Sequence, residues 1–523
     1  MKIFNKNNIV ETIEMDVAYR SNPADTFYEL CGDKKNTLLL ESVEINKKYQ
    51  VESMMIIDTA IRITAYTNVV ILESFSENGK AVLEKIHFII PKEIKMYIYP
   101  GKVKLLFPFI MSHLNEDEKL HAFSVFDTFR FLLKLLKSNS KKEKSVFFGG
   151  LFSYDLVSSF EKIPKLYNTQ KCPDFCFYLS EILLIMNHIN KTSTLQGSLF
   201  FKNDTEKKRL IKKLFSIKNQ LSKLPIEIPN KKVIGSSIKL NFNDLEYQKI
   251  IQKSQYYIKK GEIFQIVPSR KFILYCPYPL SAYYTLKNKN PSPYMFFMQD
   301  VDFTLFGASP ESSLKYNPKN RIVELYPIAG TRSRGFDKNG NLNFDLDSRI
   351  ELEMRTNQKE LSEHLMLVDL ARNDLARVCI PGTRFVSRLT KVDRYSHVMH
   401  LVSKVIGTLK YDLDALHAYA ACMNMGTLTG APKVRAMQLI ATIENNKRGS
   451  YGGAIGYFTG LGFLDTCIVI RSAYIENNIA TVQSGAGIVI DSIPIEETYE
   501  SQNKAQVVLN SIVESNYKRK NIK

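Results

Sequence analysis

Tryptophan is absent from all 523 residues, and cysteine is scarce. The seven cysteines (Cys31, Cys172, Cys176, Cys276, Cys379, Cys422, Cys467) stand mostly in apolar surroundings, which suits buried reduced thiols and speaks against a disulfide frame. Only Cys172 and Cys176, in CPDFC, lie close together, and without a second pair no zinc site is expected. No run approaches the roughly 18 apolar residues of a membrane span. The opening MKIFNKNNIVETIEMDVAYR lacks the apolar core of a signal peptide and carries acids early, so the expected location is cytoplasmic. A patterned basic groove is missing as well. The net charge is +18, but the lysines are scattered through surface-type stretches such as KSNSKKEKS and NDTEKKRLIKKL without interleaved aromatics. Neither nucleic acid nor a membrane is therefore expected as a partner. Abundant Lys, Asn and Ile look like base-composition bias, which also suffices to explain the missing tryptophan.

What is present is a globular chain, 45% hydrophobic and long enough for two domains or one double-sized core. Residues 1 to about 137 alternate in short apolar runs (51–62, 68–74, 95–99) and read as β-rich. A Ser/Lys linker at 137–145 leads to FFGGLFSYDL, where Gly149 and Gly150 mark a strand or a close backbone approach, and 175–188 reads as a buried strand. The polar stretch 202–240 is the expected boundary between a region 1–240 and a domain 241–515, with a basic tail at 516–523. Asn243 or Asp244 caps a helix ending at Gly261. Strands are expected at 262–268, 271–275, 294–299 and 303–308, and a hairpin at NPKN. A helix over 359–378 puts Leu361, Leu365, Val368 and Leu375 on one stripe, and a terminal helix begins near Pro494. The fold class is α+β, with large antiparallel sheets packed face to face and helices outside. GAGIVI lacks the third glycine of a dinucleotide fingerprint.

Several residues are candidates for chemistry. In YPIAGTRSRG and QSGAGIVI, small residues follow strands, where backbone N–H groups form an anion nest or simply a turn. Arg471 follows the apolar strand CIVI and either faces water or forks onto a carboxylate, with Tyr451 able to add a hydroxyl. Glu363 and Glu500 lie on separate helices; singly each reads as a solvated acid, together they suit a hard cation such as Mg²⁺. The pair His397 and His400 lacks a third ligand for zinc, so one core or catalytic histidine is the better reading. Glu311, in GASPES, is a general acid or a turn residue.

The segments LLLES, PSPYMFF, GASPE, PIAGTRSRG, ELSEHLMLVDLARND, SHVMHLVS, GTLTGAPKVRAM, RGSYGGAIGY, IRSAY, QSGAGIV and IPIEETYE, in this order, resemble the chorismate-utilising enzymes, and among them the large subunits of anthranilate synthases. The resemblance runs from about residue 20 to 515. It implies a Mg²⁺-dependent lyase that converts chorismate and ammonia, through aminodeoxyisochorismate, into anthranilate and pyruvate, the first committed step of tryptophan biosynthesis. It implies Glu363 and Glu500 as Mg²⁺ ligands. Gly330, Thr331, Gly485, Ala486 and Gly487 would bind carboxylate oxygens, and Arg471 and Tyr451 the enolpyruvyl carboxylate. Glu311 would be the acid that protonates the departing ring hydroxyl, His400 the group that serves pyruvate elimination, and Thr427 a wall of the pocket.

The related aminodeoxychorismate synthases carry a nucleophilic lysine where this chain has Ala329, and isochorismate and salicylate synthases a lysine base where it has Gln265. With neither amine, the site is expected to wait for ammonia. No cysteine sits in a G-x-C-x-G elbow, so ammonia should come from a separate glutamine amidotransferase, component II, in a heterotetramer of two copies of each. Leu40, Glu41 and Ser42 with Pro293, Tyr294 and Met295 match the family's tryptophan-binding segments and imply allosteric feedback inhibition from the 1–240 region. A chain without tryptophan could also be made during tryptophan starvation. The rival readings are aminodeoxychorismate synthase component I, weakened by Ala329, and a non-enzymatic scaffold, weakened by the retention of Glu311, Glu363, His400, Arg471 and Glu500.

Overall fold

The computed structural model describes residues 9–43, 50–109, 114–139, 141–164, 166, 170–228, 237–337, 341–394 and 398–516. His397 and the tail 517–523 lie outside the described residues.

Two long strands, Gln50–Tyr66 and Phe175–Asn187, pair along most of their length and belong to two sheets at once. They change sheets at register shifts between Ile56 and Ile61, where extra residues bend the ladder. From the Gln50 end, one sheet continues through Thr37–Val43, Tyr294–Gln299, Thr304–Ser309, Ser472–Glu476 and Ile479–Gly485 to Ser269–Tyr275. From the Phe175 end, the other runs through Phe147–Phe152, Ala454–Thr459, Leu464–Ile468, Ser312–Asn317 and Ile322–Leu325 to Val398–Thr408. That last strand also carries Ile328–Ser333 and Phe385–Arg394. All these pairings are antiparallel.

The sheets face each other across a core that includes Leu38, Ile56, Phe296 and Leu305 from one and Phe147, Leu151, Ile455 and Cys467 from the other. Outside the first sheet lie the helices Pro23–Cys31, Asp204–Leu221, Pro279–Lys289 and Pro494–Asn516; outside the second lie Glu77–Ile86, Asp127–Leu135, Gln358–Ala376 and Ala415–Cys422. The expected architecture is the observed one. Within the inner core, Asp300 accepts both arms of Arg62 (2.9 and 2.6 Å), the Tyr178 hydroxyl (2.6 Å) and the Cys176 thiol (3.3 Å), so this buried charge is fully paired. All seven cysteines are buried and free, and Gly150 is needed because a Cβ there would meet the Cys176 carbonyl at 2.1 Å.

Two local expectations need correction. Residues 262–268 are not one strand: only Gln265–Ile266 is extended, pairing with Gly430–Ala431, and Val267 and Pro268 turn the chain into Ser269–Tyr275. On Gln358–Ala376 the buried stripe is His364, Leu367, Val368, Ala371 and Leu375, while Leu365 is 44% exposed. The i, i+4, i+7 face passes through the histidine, one position before the leucine. No helix among the described residues is long and apolar enough to cross a membrane.

Candidate active site

The site lies where the two sheets end against the loop 424–432 and the helices Gln358–Ala376 and Pro494–Asn516. Glu311 sits between the strands Thr304–Ser309 and Ser312–Asn317, held by its own backbone. Its N–H donates to Ser309 Oγ (3.3 Å), and its carbonyl accepts from Ser309 Oγ (3.2 Å) and Ile468 N (3.0 Å). The side chain is buried at 6% exposure, and burial pushes its carboxyl up to about 8. Thr427 Oγ1 donates to it (2.9 Å), and with the Lys504 charge nearby opposes that shift only in part. A carboxyl of this kind is protonated at neutral pH and can donate a proton.

From Glu311 a chain of contacts reaches Glu500, Tyr451, Arg471 and His400. Lys504, one helical turn after Glu500, pairs with it (2.5 Å) and donates to the Gly485 carbonyl (3.3 Å). The Gly485 backbone in turn bonds the Tyr451 hydroxyl, which burial pushes up to about 12. Next to Tyr451 is Arg471, in a left-handed conformation (φ 49°) that turns it out of the strand ladder. Its guanidinium makes no ion pair with any carboxylate among the described residues, and burial lowers its pKa; Tyr451 and Glu500 are the charges that oppose this. A largely buried guanidinium without an ion pair can receive an anion from outside the chain.

His400 faces Arg471 from the strand Val398–Thr408. Burial, with Arg471 adding to it, lowers the imidazole to about 4, and a ring N–H is held by the Gly330 backbone. The ring is therefore neutral and oriented, with one nitrogen able to accept a proton. Gly330 itself (φ 69°) packs against Glu360, whose Oε2 is buried without a hydrogen bond while Oε1 pairs with Arg332. Ala329 and Thr331 flank it in the backbone ladder opposite Leu401 and His400.

Of the expected backbone donors, Ala486 is engaged elsewhere: its N–H donates to Tyr247 Oη (3.3 Å), itself anchored on the Pro268 carbonyl (2.9 Å). Gly487 lies against Gln265, whose Oε1 is buried and unpaired. Glu363 is half-buried one turn after Glu360, and Glu500 is exposed. Among the described residues no three His, Cys, Asp or Glu side chains cluster tightly enough to hold a metal by themselves. The Glu360 oxygen Oε2, buried beside Gly330, has no hydrogen-bond partner.

Three site residues escaped the sequence reading. Arg448, 2% exposed, forks onto Glu444 (3.0 and 2.5 Å) and donates to the Leu428 and Val267 carbonyls, fixing the loop that carries Thr427. The others are Lys504 and Glu360. Lys504 was findable from its i, i+4 spacing to Glu500; Arg448 offered only a basic residue before SYGG.

The residues expected to bind tryptophan also meet. Tyr294 stands opposite Ser42 and Met295 opposite Glu41 in one ladder, with Pro293 just before it. Ser42 Oγ donates to the Glu52 carbonyl (3.2 Å), and Tyr294 Oη to Asp465 (3.2 Å), which pairs with Lys315 (3.0 Å).

The model of the chorismate binding enzyme family matches residues 108–510. Over 508 residues the chain is 61% identical to anthranilate synthase component 1 of Buchnera aphidicola subsp. Rhopalosiphum maidis, covering 97% of this chain and 99% of that protein. It is 55% identical over 508 residues to anthranilate synthase component 1 of Escherichia coli strain K12, at 97% and 98% coverage. The crystal structure of anthranilate synthase component I from Streptococcus pneumoniae TIGR4 superposes with a TM-score of 0.67 at 27% identity, covering 88% of this chain and 92% of that one.

Proposed function

Since the chain belongs to the family of chorismate-binding enzymes, we propose that it is the aminating subunit of an anthranilate synthase, converting chorismate and ammonia to anthranilate and pyruvate. The observation that carries the reading is a buried acid protonated near neutrality, whose carbonyl accepts from Ile468 N, three residues before a buried guanidinium with no ion pair among the described residues. Chorismate is a dianion whose 4-hydroxyl leaves only when protonated.

Arg471 and Tyr451 take the enolpyruvyl carboxylate. The Gly485, Gly487, Gly330 and Thr331 backbone lines the place of the ring carboxylate. Mg²⁺, when bound by Glu363 and Glu500, would neutralise that carboxylate as a Lewis acid. Glu311 gives its proton to the ring hydroxyl as ammonia attacks the ring and water departs, which yields aminodeoxyisochorismate. Neutral His400 then accepts the ring proton at the aminated carbon, the bond between the ring carbon and the enolpyruvyl oxygen breaks, the ring becomes aromatic, and the departing enolpyruvate takes up a proton at its methylene carbon to leave as pyruvate. Ala329 and Gln265 offer no amine to compete with ammonia.

Ammonia is supplied by a partner glutamine amidotransferase in a heterotetramer, because no cysteine of this chain stands in a nucleophile elbow. Tryptophan bound at Ser42 and Pro293–Met295 inhibits. A link is at hand: Tyr294 pairs with Ser309, whose hydroxyl holds the Glu311 backbone. The test is nitrogen dependence. The purified chain with chorismate and Mg²⁺ should form fluorescent anthranilate from ammonium but not from glutamine, gain glutamine dependence on adding component II, and lose activity with tryptophan. Glutamine use by the chain alone would overturn the partner; activity that ignores tryptophan would overturn the regulatory site.

A further inference from the structure

His364 is completely buried on the helix Gln358–Ala376, immediately after Glu363. Nε2 lies 2.6 Å from Ser403 Oγ, and Nδ1 has no partner. Ser403 is the meeting point of three walls of the site. Its strand carries His400 three residues earlier. Its N–H donates to the Pro327 carbonyl (3.1 Å), just before Ala329–Thr331. Its hydroxyl accepts the N–H of Thr390 (3.0 Å), which stands in a left-handed bulge (φ 52°) where the ladder of Phe385–Arg394 shifts register. The hydroxyl thus stands in for the acceptor the bulge removes.

An apolar side chain would fill the His364 position without leaving a nitrogen unsatisfied. What the imidazole adds over burial is one directional bond, and that bond ties the helix of Glu360 and Glu363 to the strand of His400. We propose that His364 and Ser403 are positioning residues that set the spacing between the carboxylates of the helix and the catalytic imidazole. Neither touches the reacting atoms. The proposal rests on the anthranilate synthase reading, since it assigns His400 to elimination and Glu363 to the cation. A displacement on the order of 1 Å between such groups suffices for a large rate effect.

The experiment compares wild type with Ser403→Ala, Ser403→Thr, His364→Gln and the double variant His364→Gln/Ser403→Ala. Two readouts are independent of the overall rate: the fraction of turnovers released as aminodeoxyisochorismate instead of anthranilate, and the rise in melting temperature on adding Mg²⁺ with chorismate. Ser403→Ala should release intermediate that wild type does not, and need about tenfold more Mg²⁺ for half of the melting shift. Ser403→Thr keeps a hydroxyl and should restore both. The double variant should be no worse than the worse single one, because both remove the same bond. If Ser403→Ala and His364→Gln lower the melting temperature but leave partition and Mg²⁺ dependence at wild-type values, the pair is structural only and the proposal fails. If wild type itself makes no anthranilate from ammonium, the functional reading falls instead, before any variant is compared.

Discussion

Glu311→Gln should lower the amination rate by about 10³-fold while leaving chorismate binding nearly unchanged. Glutamine keeps the shape and can still accept from Thr427 Oγ1, but it has no proton to give. Wild-type activity should fall as pH rises through about 8, where the Glu311 carboxyl loses its proton, and this alkaline limb should vanish in the residual activity of the variant. Stability should move the other way. Because the folded pKa of Glu311 lies above its unfolded value, the folded state holds a proton that the unfolded chain has released between about 4.5 and 8. Stability therefore declines with rising pH across that window and levels off above it. Glu311→Gln removes that penalty, so the variant should be inactive yet more heat-stable than wild type at pH 8. A variant that retained more than a tenth of wild-type activity would remove Glu311 from the mechanism.

Arg471→Ala is expected to raise the chorismate concentration for half-saturation and to cost about 10²-fold in kcat/KM, in keeping with about 3 kcal/mol for a charge-assisted pair. Truncating a buried ion-paired arginine normally strands its partner and destabilises the fold. Arg471 has no such partner among the described residues; Glu500, the acid whose charge acts on it, is exposed and already bound by Lys504. The melting temperature should therefore stay within about 2 °C of wild type or rise. Arg471→Lys should recover little, since an ammonium lacks the two-pronged fork. Unaltered chorismate affinity in Arg471→Ala would mean that the enolpyruvyl carboxylate binds elsewhere. A large loss of stability would mean that the guanidinium is structural.

Elements with local signals were legible. Asn243 caps its helix and Glu246 returns the bond to the Asn243 N–H, a pattern written three positions apart in NDLE. The alternating run at 51–62 and the buried run at 175–188 are strands as read; the first extends further, over Gln50–Tyr66, and their membership of two sheets depends on pairing partners far away in the chain. Ser42 and Tyr294 stand 252 positions apart in sequence and opposite each other in space, which no local pattern announces. On the helix 358–376 the expected stripe holds at Val368 and Leu375 and breaks at Leu365. Counting leucines put Leu365 inward, whereas the inward position belongs to His364, a residue that hydrophobic periodicity does not score.

The site was legible mainly through the family resemblance. On residues alone, Glu311 is a turn acid, and only its burial beside Thr427 gives it a proton to donate at neutral pH. Arg471 carried a better signal, a charged side chain ending an apolar strand, and the structure adds that nothing in the described chain neutralises it. The roles of Lys504 and Arg448 come from contacts across the fold, so no spacing rule reaches the second of them.

The most direct measurement is the product balance of the chain alone, given chorismate, Mg²⁺ and high ammonium at a pH below the Glu311 value of about 8, with anthranilate read by fluorescence and pyruvate by an independent assay. Amination followed by elimination in one pocket predicts one pyruvate for each anthranilate and no accumulation of an aminated intermediate. An aminated chorismate without pyruvate would contradict the role given to His400, and a hydroxylated chorismate would contradict the reading of Ala329 and Gln265 as a site that admits only ammonia.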